Sequence, residues 1–205
     1  MFITFEGPEG SGKTTQMAAL ARFLRQQGYE VLATREPGGT TIGDQVREIL
    51  FNPHNTDMLT KTEVLLFQAS RAQLVEQVVR PCLEQNGIVL CDRYADSTLA
   101  YQGYGYYLEI DELQQIINFA TDGLLPDLTL LLDVEVEVGL QRKVKDGDCE
   151  WNRLDAYEIE FHRRVRQGYL ELAANEPERW VMIDAGQPPE FVQAAVRKIV
   201  MERLA

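Results

Sequence analysis

Gly7, Gly12, Lys13 and Thr14 stand at the spacing G-x-x-x-x-G-K-[ST], written out as Gly7-Pro8-Glu9-Gly10-Ser11-Gly12-Lys13-Thr14. Phosphate binding uses that pattern for physical reasons. Glycines let bare backbone N–H groups close around phosphate oxygens at the start of a helix. Lys13 supplies charge to the β- and γ-phosphates, and the Thr14 hydroxyl suits Mg²⁺. Residues 7–15, ending at Thr15, therefore read as the site of a nucleoside triphosphate. A second cluster, Arg35-Glu36-Pro37-Gly38-Gly39, and a third, Asp92-Arg93-Tyr94, offer guanidinium forks, acids and a glycine pair. Arg93 can grip a second phosphate bidentately, and Asp92 can orient it or reach Mg²⁺ through water. A site for a second phosphate favours a kinase acting on a phosphorylated acceptor. Such an acceptor is already ionised, so no general base is needed, and His54 and His162 are expected at the surface.

These residues need elements to hold them. Short apolar runs at Phe2 to Phe5, Val31 to Thr34, Ile88 to Cys91, Leu128 to Leu132 and Trp180 to Ile183 predict five strands. Helical patterns between them cover Lys13 to Gln27, Ile42 to Leu50, Thr62 to Gln85 with a kink at Pro81, and Thr98 to Tyr101 or slightly beyond. Further ones cover Ile110 to Thr121, Val136 to Lys145, Asp155 to Asn175 and Pro189 to Arg203. Strands alternating with helices predict an α/β fold, a mostly parallel five-stranded sheet with helices on both faces. Each polar cluster follows a strand, and ligands of open α/β sheets bind at that carboxyl edge. Residues 1–205 carry no composition shift and read as one domain. Stretches 51–60 and 146–153 read as loops.

A net charge of −12 speaks against a nucleic-acid-binding surface. Cys82, Cys91 and Cys149 lie far apart, which indicates neither a disulfide framework nor a zinc site. Without a signal peptide or a bilayer-length apolar run, a cytoplasmic protein with no membrane partner is expected. Two rivals to this reading stay open: a kinase for a deoxynucleoside or a different nucleoside monophosphate, and a regulator driven by nucleotide binding. The absence of N-K-x-D speaks against guanine-specific switching.

From residue 2 to about residue 188 the chain resembles the thymidylate kinase family. The resemblance rests on Phe5 to Thr15, Thr34-Arg35-Glu36-Pro37-Gly38-Gly39-Thr40, Asp92-Arg93-Tyr94 and Asp96 to Gly103. It continues through Leu125 to Thr129, Asn152-Arg153-Leu154-Asp155 and Asp184 to Pro188. It implies a phosphate-loop NTPase fold, transfer of the γ-phosphoryl of ATP to dTMP with Mg²⁺, and a homodimer. It further implies that Arg35, Glu36, Arg47 and Arg93 face the acceptor. Phe67 and Arg71, four residues apart on one helix face, would stack on and bond the thymine. Thr98, Tyr101 and Gln102 would border its base edge and sugar, with Tyr101 rejecting ribose. A lid near 142–154 would bring Arg142 or Arg153 over the transferring phosphoryl, Lys143 and Lys145 contributing less beside Asp146, Asp148 and Glu150. Glu9 fits this arrangement, since relatives with an acid in the loop carry the catalytic arginine in the lid. Gln187 would border the adenine.

Overall fold

The computed structural model describes residues 1–145 and 157–204. Its five strands are β1 (Phe2–Glu6), β2 (Val31–Arg35), β3 (Ile88–Asp92), β4 (Leu128–Asp133) and β5 (Trp180–Asp184). They form a single sheet in the order β2-β3-β1-β4-β5 with every pairing parallel, so the expected "mostly parallel" sheet is wholly so. This is the phosphate-loop NTPase architecture. Each strand runs one residue beyond its apolar stretch, and each added residue is charged: Glu6, Arg35, Asp92, Asp133 and Asp184. The hydrogen-bond ladder continues past the point where the sequence turns polar, and those five residues mark the edge where the site is built.

Alternation along β1 divides the core. Ile3 and Phe5 pack with α1 (Lys13–Gln26) and α9 (Pro189–Leu204) on one face. On the other, Phe2 joins Val64, Tyr94, Tyr101, Phe161 and Tyr169. That second face is covered by α3 (Thr60–Leu74), α5 (Ala95–Thr98), α6 (Ile110–Thr121) and α8 (Ile159–Asn175). The remaining helices are α2 (Thr41–Phe51), α4 (Arg80–Glu84) and α7 (Val136–Lys145). Membrane-spanning helices are absent among the described residues.

Three expectations are corrected. The long helix expected over Thr62 to Gln85 is not kinked at Pro81 itself; a π-helical turn at Val75–Val79 separates α3 from α4. Pro81, which has no N–H to donate, then sits in the first turn of α4, where none is required. After α5, the helix expected over Thr98 to Tyr101 or slightly beyond is instead a second π-helical stretch at Leu99–Gly105, which carries Tyr101 and Gln102. His162, expected at the surface, is buried beside Phe161. The apolar stripe of α8, formed by Phe161, Val165, Tyr169 and Leu172, is wide enough to take in its neighbour.

Candidate active site

At the carboxyl edge of the sheet the chain folds around a cavity of about 1200 Å³. Pockets for one small ligand usually span roughly 300–1,000 Å³, and this one exceeds that range. Seven basic side chains but only three acids line it, which concentrates positive charge locally in an acidic protein. Gly7 to Pro8 form the floor of its loop, while Glu9 to Thr15 line the cavity directly. Asp92, Arg93, Arg35, Glu36, Arg47, Phe67, Arg71, Thr98, Tyr101, Gln102, Arg142 and Gln187 line it as well. Arg153 lies outside the described residues, as does most of the expected lid.

The loop is shaped by backbone that only glycine tolerates. Gly10 has φ +66, and a side chain there would run into the main chain of Gly139 in α7. Lys13, buried at the start of α1, folds back onto the loop and donates to Gly7 O (3.1 Å), Pro8 O (2.8 Å) and Ser11 Oγ (3.1 Å). Burial, with Arg93 nearby, pushes its ammonium down to about 8, against the pull of Glu9 and Asp92. Thr14 Oγ1 donates to Asp92 Oδ2 at 2.5 Å, joining the helix start to the end of β3. Asp133, the acid that ends β4, is held bidentately by Arg166 at 2.8 and 2.9 Å.

Arg93 adopts φ +67, which turns its guanidinium back over the loop. It donates to Glu9 Oε1 (2.7 Å), Tyr101 OH (3.0 Å), Gly7 O (3.2 Å) and Tyr169 OH (3.0 Å). Tyr101 in turn donates to Glu9 Oε1 at 2.7 Å. Burial alone would raise the Glu9 carboxyl, but Arg93, Lys143 and Lys13 outweigh it and hold it well below its usual range. Lys143 was expected to be the lesser cation of its segment; instead it is buried, with Nζ 3.3 Å from Glu9 Oε2. Its acidic neighbours in sequence say nothing of the turn of α7 that points it inward. Arg142 donates to Ala185 O at 2.8 Å, and Lys145 is exposed.

Arg71, also on the cavity, is fully buried and its donors are all engaged. Nε and Nη2 meet Glu36 Oε2 at 2.8 and 2.7 Å. Nη1 reaches Gln68 Oε1 (2.7 Å) and Thr98 Oγ1 (3.0 Å), and Nη2 also reaches Tyr94 O (3.0 Å). A ligand carbonyl reaches this guanidinium only by sharing one of those bonds. Phe67, one turn earlier, is half-buried with its ring on the cavity. Glu36 Oε1 is buried without a hydrogen-bond partner among the described residues, an acceptor that a ligand hydroxyl would satisfy. Arg35 is exposed, 3.6 Å from Asp44, and Arg47 donates to Pro37 O.

Sequence reasoning missed the residue beneath the whole arrangement. Glu6, the last residue of β1, accepts from Tyr94 N (2.7 Å), Ser97 Oγ (2.6 Å) and Tyr169 OH (2.9 Å). Burial, and then Asp96, push its carboxyl up to about 7 against Arg93, Ser97 and the Tyr94 N–H. Its signal was an acid closing an otherwise apolar buried strand. Glu63 and Gln68 were missed too, and nothing in their spacing announces them.

The family model described as thymidylate kinase matches residues 5–196. A thymidylate kinase of Roseiflexus castenholzii is 52% identical over 216 residues, covering 100% of this chain and 94% of that one. The Deinococcus radiodurans thymidylate kinase is 50% identical over 203 residues, with 99% and 97% covered. A crystal structure of thymidylate kinase from Ehrlichia chaffeensis superposes with a TM-score of 0.81 at 35% identity, covering 98% of each chain.

Proposed function

This chain belongs to the thymidylate kinase family, and from that membership we propose how its cavity works. The enzyme transfers the γ-phosphoryl group of ATP to dTMP, giving dTDP, a step toward dTTP. ATP occupies the half of the cavity bounded by residues 7–15, with Gln187 near the adenine. The acceptor occupies the half bounded by Arg35, Glu36, Arg47, Phe67, Arg71, Thr98, Tyr101 and Gln102. Supporting the division is Arg93, whose guanidinium ties the loop residues Gly7 and Glu9 to Tyr101.

Phosphoryl transfer asks for alignment and charge neutralisation rather than covalent help. Lys13 exchanges its bonds to loop carbonyls and Ser11 for the oxygens of the transferring group. Arg93 holds the acceptor phosphate in line, with Glu9 and Tyr101 fixing its fork. Arg142, from the end of α7, supplies positive charge to the transferring group, with Arg153 as the second cation. Thr14 and Asp92 fit Mg²⁺, since a hydroxyl and a carboxylate are the hard oxygen donors it takes. Held by those two side chains, Mg²⁺ would supply charge neutralisation to the triphosphate. Phe67 stacks on thymine, Glu36 Oε1 accepts from a sugar hydroxyl, and the Tyr101 ring crowds C2′. We read residues 1–205 as one cytoplasmic domain working as a homodimer.

A panel of nucleoside monophosphates and deoxynucleosides, assayed by coupled ADP detection, tests the reading. dTMP-dependent ADP release well above that with every purine nucleotide is expected. Comparable turnover with a free deoxynucleoside would refute the acceptor-phosphate role of Arg93.

A further inference from the structure

Glu63, in the first turn of α3, and Gln102, in the π-helical stretch after α5, are 39 residues apart in sequence and both buried. Gln102 Nε2 donates to Glu63 Oε1 at 2.7 Å, and Tyr106 OH donates to the other carboxylate oxygen at 3.3 Å. We propose that Glu63 is a positioning residue for acceptor specificity: its carboxylate locks the Gln102 amide so that the amide oxygen, turned to the cavity, accepts the N3–H of a pyrimidine. The step rests on reading Gln102 as an acceptor-side residue.

An amide presents a donor on one side and an acceptor on the other, and the two have nearly the same shape. Left alone, Gln102 could turn either end to a base. An ionised carboxylate only accepts hydrogen bonds, so a turned amide would set oxygen against oxygen in a buried place, at the cost of two unsatisfied groups. The cavity is thereby offered an acceptor. Thymine and uracil carry a hydrogen on N3; cytosine carries a lone pair there, and that lone pair would face the Gln102 oxygen. Recognition of this kind discriminates strongly because the wrong partner leaves buried polar atoms unpaired.

The test compares kcat/KM for dTMP, dUMP and dCMP in the parent enzyme, Glu63→Gln and Gln102→Ala. Glu63→Gln allows the Gln102 amide to turn, so the dTMP:dCMP ratio is expected to fall about tenfold or more. The dTMP:dUMP ratio and the KM for ATP stay within about twofold, since both bases carry N3–H and the ATP half is untouched. A dTMP:dCMP ratio unmoved in Glu63→Gln but lowered in Gln102→Ala would overturn the positioning role while leaving the acceptor site intact. A ratio unmoved in both would overturn the acceptor-site reading as well. Should Glu63→Gln fail to fold by circular dichroism, Glu63→Met, which brings no polar atom into the buried position, carries the same expectation.

Discussion

Two arginines line the cavity, and they are held very differently. Arg93 is 17% exposed, as is its partner Glu9 at 16%, and its other ties go to a carbonyl and to hydroxyls. Arg71 is 1% exposed beside a Glu36 that is 3% exposed, with every N–H spoken for. Lys13 belongs with Arg93, since it too is held by loop carbonyls and a hydroxyl, partners that a phosphate oxygen outbids. The phosphate end is charge kept on exchangeable contacts, whereas the base end is a prebuilt wall. Substitutions at the first should therefore appear in catalysis and at the second in stability.

The largest separation is expected from Arg71→Ala. Leaving Glu36 buried and unpaired should lower unfolding free energy by about 3–5 kcal/mol in urea titrations. The KM for dTMP should rise far more than that for ATP. Lys13→Ala should do the reverse, lowering kcat about a hundredfold or more while the urea midpoint barely moves, because a desolvated ammonium is removed along with its bonds. Equal loss of stability in the two variants would break the comparison.

Arg142→Ala sharpens it further. Among the described residues its guanidinium donates to Ala185 O alone, so kcat should drop by about tenfold or more with ATP binding in the absence of acceptor nearly unchanged, as calorimetry would show. Lys143→Ala should now cost activity too, because it removes a partner of Glu9 and so loosens Arg93.

A pH profile should separate the two ends without mutation. The folded Lys13 ammonium is depressed to about 8, so the free enzyme loses that charge as pH rises through 8. kcat/KM for ATP should fall along that limb, and Lys13→Arg should remove it. Stability moves the other way: between about 8 and the lysine's unfolded value of 10.5, the unfolded chain binds the extra proton, so this group favours folding more as pH rises. The smallest effect is expected from Tyr101→Phe, which loses two hydroxyl contacts to Glu9 and Arg93 and should lower kcat severalfold, about 1 kcal/mol. Tyr101→Ala should raise the ribo- to deoxy-TMP efficiency ratio; an unchanged ratio would leave the ring as packing.

The strands were legible because hydrophobic runs and hydrogen-bond ladders coincide everywhere except at their last residue. Motif residues along the chain were legible for the same local reason. What stayed hidden was pairing at long range. Arg71 read as a free fork for a base, but its engagement depends on Glu36 and Tyr94, brought together only by the sheet order. Lys143 read as diluted by acidic neighbours, although the chain direction of α7, not its composition, decides where that ammonium goes. His162 shows the limit of treating a polar residue on an amphipathic helix as outward-facing.

Where Gly10 meets Gly139, main chain lies on main chain with no side chain between them as a cushion. Soft padding absorbs displacement by changing rotamers; bare peptide groups do not. A Cβ on either glycine would strike the other segment's carbonyl, so even alanine at position 10 or 139 would have to pry the Val136–Lys145 helix and the phosphate loop apart.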